Sequence, residues 1–386
     1  MELASYPTLK YSKGQVNKAG EILGGHLPWN PDQPEEHVEI FRIAYDWRNS
    51  HALPMRRMRF ELGGKIRSQK VIGFSAARLK RMVSIRRKLS RLSTNLTQIQ
   101  DIAGCRAIVN TIAEVNRLAD LYRDGGSAHL FRYARDYIAE PKPVGYRSHH
   151  LVMAYQASED GDPFHGRLVE LQLRTRLQHA WATAVEAVGM ARGEDLKGSE
   201  GDLEWLRFFQ LVASEFALAE GCPVVAGDED RPARLAEIRE LERRLDAVST
   251  LESLNHALKI TDESVPATSK YYLIRFDRAG ERVTVRGYNS PIREDASTSD
   301  VIGSAPNAVL VEVDRVENLK EAYPNYYLDV HLFTRNLRRI LSGKALDLFI
   351  AGEALRPAAG RGSALPDPAI IANYRKDRRI RKRLGR

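Results

Sequence analysis

Residues 78–106 read RLKRMVSIRRKLSRLSTNLTQIQDIAGCR, and the reading of this stretch decides the rest. Its first half carries Arg78, Lys80, Arg81, Arg86, Arg87, Lys88 and Arg91 with no acid among them, and its second half reaches Asp101 just before the apolar run Ala107-Ile108-Val109. A polyanion clamp thus leads to a carboxylate. Phosphate chemistry needs that pairing, because cations hold charged oxygens while a carboxylate anchors a metal that neutralises charge on the transferred group. Taken alone, a charge run is more often a solvated helix face followed by an ordinary strand.

Two downstream segments shift that balance. Residues 136–150, DYIAEPKPVGYRSHH, put a Lys, a Gly, a Tyr, a Ser and a His into one turn-to-strand segment. Residues 169–175, VELQLRT, place Glu170, Gln172 and Arg174 on one face of a strand by period-2 alternation. Mg²⁺ favours one or two carboxylates plus phosphate oxygens, and Asp101 and Glu170, at the ends of two strands, could converge on such a point.

In this order the segments resemble the synthetase domain of the RelA/SpoT alarmone family. The pattern R-x-K-x-x-x-S-I-x-x-K is met by Arg78, Lys80, Ser84, Ile85 and Lys88, and D-I-x-G-x-R by Asp101, Ile102, Gly104 and Arg106. P-K-x-x-G-Y-x-S-x-H is met by Pro141, Lys142, Gly145, Tyr146, Ser148 and His150, and E-x-Q-x-R-T by Glu170, Gln172, Arg174 and Thr175. The resemblance covers residues 35–220, about half of the chain. It implies a nucleotidyltransferase-like synthetase fold that moves the β,γ-pyrophosphate of ATP to the 3′-hydroxyl of GDP or GTP. It also implies that Asp101 and Glu170 hold Mg²⁺ and that Glu170 activates the acceptor hydroxyl. Arg78, Lys80, Ser84, Lys88 and Arg106 match the donor-nucleotide contacts. Lys142, Tyr146, Ser148, His150, Gln172 and Arg174 match the acceptor side, with the acceptor base stacked on Tyr146.

The chain also departs from that pattern. Val144 stands where nucleotide-making members often have Asn, and Glu186 is followed by Ala187 where a His is common. None of the ten histidines is followed by Asp, so synthesis without hydrolysis is expected, with control falling to the C-terminal domain through a regulatory protein or ligand. A toxin-type relative that pyrophosphorylates the tRNA 3′ end or adenine nucleotides, restrained by that domain, is the alternative. A non-catalytic RNA-binding protein is the third reading.

Composition sets the outer bounds. The 386 residues, 43% hydrophobic and 28% charged, describe a globular protein of two or three domains. Neither a membrane-length apolar run nor a signal-peptide core is present, so a cytoplasmic location without membrane contact is expected. Cys105 and Cys222 have neither a disulfide framework nor zinc-site spacing. The net charge of +9 is concentrated at the end, where residues 356–386 hold ten Arg or Lys against two Asp. That basic tail is either a solvated end or a nucleic-acid contact.

The expected organisation is an irregular arm over 1–34, a synthetase domain over 35–225, a helical connector over 226–265, an α+β domain over 266–355 and the tail over 356–386. The fold class is α/β (α+β), a mixed β-sheet flanked by helices plus a smaller α+β C-terminal domain. Helices are predicted over 35–47, from before Arg78 towards Leu92, and over 113–122, 175–188, 202–220 and 329–341. Gly63-Gly64 is expected to break the basic segment 53–69. Strands are predicted at 107–109, 148–155 and 167–173, with a hairpin over 271–288 and a further strand at 308–313. Residues 233–258 are read as one long helix whose apolar seam braces two domains or pairs two copies of the chain.

Overall fold

The computed structural model of the protein describes residues 10–25, 34–157, 162–257, 259–262, 271–277, 282–288, 308–313 and 330–348. The basic tail and the loop of the 271–288 hairpin lie outside the described residues. Five strands build the central sheet: β1 (Gly73–Leu79), β2 (Ala103–Val109), β3 (Leu130–Asp136), β4 (His149–Ala154) and β5 (Leu168–Thr175). Their order is β3-β4-β5-β2-β1, with β2 and β5 parallel and the other neighbours antiparallel, which is the mixed sheet expected.

Alternation along these strands divides the sheet into an apolar and a polar face. Ala77, Ala103, Cys105, Ala107, Leu151, Met153, Val169, Leu171 and Leu173 enter one core with side chains of α3 (Ala52–Ser68) and α5 (Ile112–Arg123). Arg78, Gly104, Arg106, Glu170, Gln172 and His150 are left on the opposite face by the same period of two. Arg78 pairs with Gly104 and Gly104 with Glu170, while Arg106 pairs with Gln172 and Gln172 with His150.

Two helical groups border the polar face. α1 (Lys13–Leu23), α2 (Pro34–Asn49) and α4 (Met82–Arg91) share a core through Val16, Ala44, Ile85 and Leu89. α6 (Arg176–Arg192), α7 (Leu203–Ala219), α8 (Arg231–Leu245) and α9 (Ala247–Ala257) share another, which Phe333, Leu337 and Ile340 of α10 (His331–Leu341) complete. Beyond β1, the strands β6 (Lys259–Asp262), β7 (Tyr271–Asp277), β8 (Arg282–Tyr288) and β9 (Ala308–Val313) continue the same sheet in the order β1-β9-β7-β8-β6. The junction is antiparallel, with Ala76 opposite Val313 and Arg78 opposite Val311.

Several local expectations are corrected. Arg78 lies on a strand, and the helix begins only at Met82, so Arg78 and Arg81 share no helix face. Ala76 and Ala77 favour a helix by propensity, and pairing of this segment with β2 on one edge and β9 on the other overrides that preference. Helix α3 runs through Gly63-Gly64, because Met55, Met58, Leu62 and Ile66 bury one continuous face that outweighs a cost of about 1 kcal/mol per glycine. The arm contains α1, started by a capping box in which Ser12 accepts from the Gln15 amide. The long helix over 233–258 is two helices parted at Asp246, whose φ of 45° is left-handed, a conformation Asp tolerates. β3 and β6 were not anticipated.

One turn at the end of the sheet is built on a glycine. Gly145 has φ of +89° and donates to the Lys142 carbonyl, while Arg147 beside it donates to the carbonyls of Ala213 and Pro223. A Cβ on Gly145 would stand 2.5 Å from the Ala213 Cβ, so the turn lies directly on α7. Gly145→Ala is expected to lower the unfolding free energy by about 1–3 kcal/mol through strain and overpacking. Urea melts of the two proteins check this, and equal midpoints would refute the close approach.

Candidate active site

The polar face forms a cleft of about 440 Å³ lined by Ala76, Arg78, Lys80, Asp101, Gly104, Cys105, Arg106, Glu170 and Gln172. Gly104 stands between Arg78 and Glu170 in the register, and a Cβ there would touch only the Arg78 carbonyl oxygen, at 3.8 Å. Its missing side chain therefore leaves cleft space rather than relieving the core.

Asp101 is gripped from two elements. Lys80, just past the end of β1, donates to Oδ2 at 2.6 Å, and Lys88 of α4 donates to Oδ1 at 3.0 Å. The Lys80 backbone is fixed in turn, its amide donating to the Ile102 carbonyl at 2.8 Å and its carbonyl accepting from Arg48 Nε at 2.7 Å. Burial penalises the Asp101 carboxylate and Glu170 adds repulsion, yet the two lysines hold its pKa below the ordinary value. Ser84 is half-buried one turn before Lys88 on α4.

Glu170 begins a hydrogen-bonded row. Its Oε1 faces His150 Nδ1 at 3.0 Å, its Oε2 accepts from Gln172 Nε2 at 2.7 Å, and Gln172 Oε1 accepts from Arg174 at 2.8 Å. His150 Nε2 lies 2.8 Å from the Tyr146 hydroxyl. Burial works against the Glu170 charge, but His150 and Gln172 outweigh it and bring the pKa to about 2. His150 is pushed up to about 9, burial being overcome by Tyr146 and Glu170. The Tyr146 hydroxyl is drawn down to about 7, His150, Arg174 and Lys197 outweighing its burial.

The predicted residues are not all placed alike. Arg78, Lys80, Lys88, Asp101, Arg106, Glu170, Gln172 and His150 are brought together on or beside the polar face. Arg174 is 1% exposed and reaches the row through Gln172. Ser148 is wholly buried and donates to the Leu173 carbonyl, so it ties β4 to β5 instead of facing the cleft. Tyr146 is 5% exposed, with the rings of Tyr137, His150 and Trp181 packed edge-on around it. Lys142 and Lys197 stand over its ring at 5.3 and 5.7 Å. Val144 packs against the α6–α10 core.

Sequence reasoning passed over Lys197 and noted Glu186 only as the residue before Ala187, yet the two form an ion pair. Burial disfavours the Glu186 charge, but Lys197, Arg78 and Arg106 hold it strongly ionised. The available signal was a single acid within the apolar run LQHAWATAVEAVGMA on α6. His179 of the same helix is kept neutral by burial beside Arg106 and Arg174.

Residues 77–190 match the region found in RelA / SpoT proteins. This stretch is a RelA/SpoT region. The GTP pyrophosphokinase of Escherichia coli (strain K12) is 26% identical over 214 residues, covering 51% of this chain and 27% of its own length. The GTP pyrophosphokinase YjbM of Bacillus subtilis (strain 168) is 36% identical over 115 residues, covering 29% of this chain and 54% of its own. The chain thus spans about a quarter of the first relative and about half of the second. Among solved structures, a GTP pyrophosphokinase family protein from Streptococcus pneumoniae aligns with a TM-score of 0.38 at 23% identity, over 50% of this chain and 96% of that one. Small alarmone synthetase 1 of Bacillus subtilis bound to its product pppGpp aligns with a TM-score of 0.34 at 24% identity, over 49% and 95%. Among the described residues no helix is long and apolar enough to cross a membrane.

The Glu170–His150 pair in the RelA/SpoT region links stability to pH. His150 titrates at about 9 in the folded chain against 6.5 unfolded, so its contribution is complete below 6.5 and is lost as pH rises through about 9. Tyr146, drawn down to about 7 from 10, adds stability over the overlapping range as pH rises and offsets that loss in the wild type. The loss is therefore read in Tyr146→Phe, where His150 keeps its Glu170 partner: its melting temperature in metal-free buffer should fall as pH rises above 6.5, adding Glu170→Gln should flatten that fall, and parallel profiles would refute the pairing.

Proposed function

We propose that the RelA/SpoT region is an ATP-dependent pyrophosphotransferase that acts on the 3′-hydroxyl of a guanosine nucleotide. One observation carries this: two ionised carboxylates, Asp101 and Glu170, line a single cleft whose other polar walls are Arg78, Lys80, Arg106 and Gln172. Arg78, Lys80, Lys88 and Arg106 can take the donor's phosphate chain, guanidinium by bidentate contact and ammonium as a point charge. Lys80 and Lys88, now paired with Asp101, can exchange it for phosphate oxygens of equal sign.

The residues present fit a magnesium ion. Among the described residues no group of three or more potential ligands gathers. Asp101 and Glu170, two carboxylates lining one cleft, suit an ion that takes the rest of its shell from phosphate oxygens and water, as Mg²⁺ does. Bound there, Mg²⁺ would neutralise charge on the transferred group.

In the transfer, the acceptor 3′-oxygen bonds to the β-phosphorus of ATP. The bond from that phosphorus to the α,β-bridging oxygen breaks, and AMP leaves with the electron pair. Glu170 accepts the hydrogen bond of the 3′-hydroxyl and then its proton. A loose phosphoryl-transfer transition state asks more for position and charge than for a strong base, which suits a carboxylate of low pKa. His150, Tyr146 and Gln172 hold its orientation.

Two observations favour a second acceptor. Val144 packs against the apolar core and its side chain offers no polar group to a guanine edge, while Arg57, Arg67 and Lys70 are exposed on and after α3. Both suit the 3′ end of tRNA as the acceptor. Purified full-length protein incubated with γ-labelled ATP and GDP, GTP, ATP or deacylated tRNA separates the readings. Label is expected on a guanosine nucleotide, with Glu170→Gln and Asp101→Asn each slowing transfer by roughly 10²–10⁴-fold. Label on tRNA alone would establish the second acceptor, and label on none of them would remove the enzyme.

A further inference from the structure

The segment 193–202 between α6 and α7 links α4 to α6 beside the cleft residues Arg78 and Arg106, which act on its partner Glu186. On the α4 side, Asp195 Oδ2 accepts from Arg87 at 2.9 Å, Glu200 Oε1 lies 3.2 Å from Arg91 Nε, and the Gly198 carbonyl accepts from Arg91 at 3.3 Å. On the α6 side, Lys197 meets Glu186 and stands over the Tyr146 ring. Leu196, 1% exposed, anchors the segment in the α6–α10 core. Gly193, Ser199 and Gly201 have φ of 77°, 66° and 139°. The arrangement is a strap with one apolar foot, tied down at one end by half-exposed ion pairs that are individually weak.

Lys197 is placed unlike the other cations. Tyr146, expected to carry an acceptor base, has little free surface, and two of the groups over its ring are the ammonium heads of Lys142 and Lys197. Arg174 stands over it as well, at 5.9 Å, so a base stacking there meets a ring already attended by cations. Lys142 is exposed, whereas Lys197 is half-buried and its partner carboxylate lies in the field of Arg78 and Arg106. A nucleotide entering between Tyr146 and those arginines brings phosphates, which replace Glu186 as the anion facing Lys197.

We infer that Lys197, carried by the 193–202 strap, binds the phosphates of the acceptor nucleotide, and that Glu186 occupies it until the nucleotide arrives. This rests on the proposed transfer reaction and names one of its substrate-binding residues. The strap then encloses the acceptor while its ties to Arg87 and Arg91 keep it in register with the donor wall. Glu186 prevents an uncompensated cation from lying beside Arg78, Arg106 and Arg174 in the empty cleft.

Calorimetric titration of the full-length chain with Mg²⁺ and either GDP or α,β-methylene-ATP, a donor probe that cannot transfer, tests this. Lys197→Ala should raise the GDP dissociation constant roughly ten-fold, as expected for one lost charge-assisted contact, and leave the donor probe within about two-fold. Lys197→Arg should restore most of the GDP affinity, and Glu186→Gln should tighten it. Unchanged GDP binding in Lys197→Ala, equal weakening towards both nucleotides, or weaker GDP binding in Glu186→Gln would each overturn the assignment. A wild-type chain that binds both nucleotides but transfers nothing would sink the reaction alone and leave the Lys197 comparison readable. A wild-type chain that binds neither would sink both.

Discussion

Two carboxylates in one partly buried cleft repel each other, and each loses hydration; Asp101 and Glu170 stay charged because each is met by its own cation. Everything around the cleft serves that balance. The end of β1 delivers Lys80, one face of α4 delivers Lys88, and β4 delivers His150. Gly104 keeps the space between Glu170 and Arg78 open. The ion pairs that result can be exchanged. Under the proposed reaction a polyphosphate would present to Lys80 and Lys88 the same kind of oxygen that Asp101 presents, so the carboxylates of the cleft set out that charge pattern in advance.

How much of this was legible in the sequence depended on the range over which each feature is decided. The Glu170-Gln172-Arg174 face follows from strand alternation alone, and the structure sets those three side chains in one hydrogen-bonded row. The region around Arg78 was misread because Ala76 and Ala77 favour a helix and only pairing with β2 and β9 overrides them, and the basic residues that follow belong to a real helix only from Met82. At Gly63-Gly64 and Asp246 local rules failed in opposite directions. Burial carried a helix through two glycines, and an aspartate with a left-handed backbone ended one without any glycine.

The site was legible in outline, since the motif residues do gather, but motif membership did not say which side chains face the cleft. Ser148 and Tyr146 stand in the same motif, yet one is consumed by a strand-to-strand hydrogen bond and the other lies under three aromatic neighbours. The pairing of Glu186 and Lys197 was missed for a different reason. They lie 11 positions apart, on a helix and on the segment that follows it, and only the turn made by Gly193 to Gly201 brings them together. No periodicity reports such a meeting.

The junction of β1 with β9 has a consequence for the making of the protein. β1 leaves the ribosome early, whereas its outer partner follows only after the helices α4 to α9 and the strands β2 to β8. For most of synthesis the strand bearing Arg78 therefore presents an unpaired backbone edge, a template that other chains can join. Sequence-distant closure of this kind is slow to nucleate. A nascent chain thus holds every side chain of the cleft well before it holds the strand that pairs with β1 in the finished molecule.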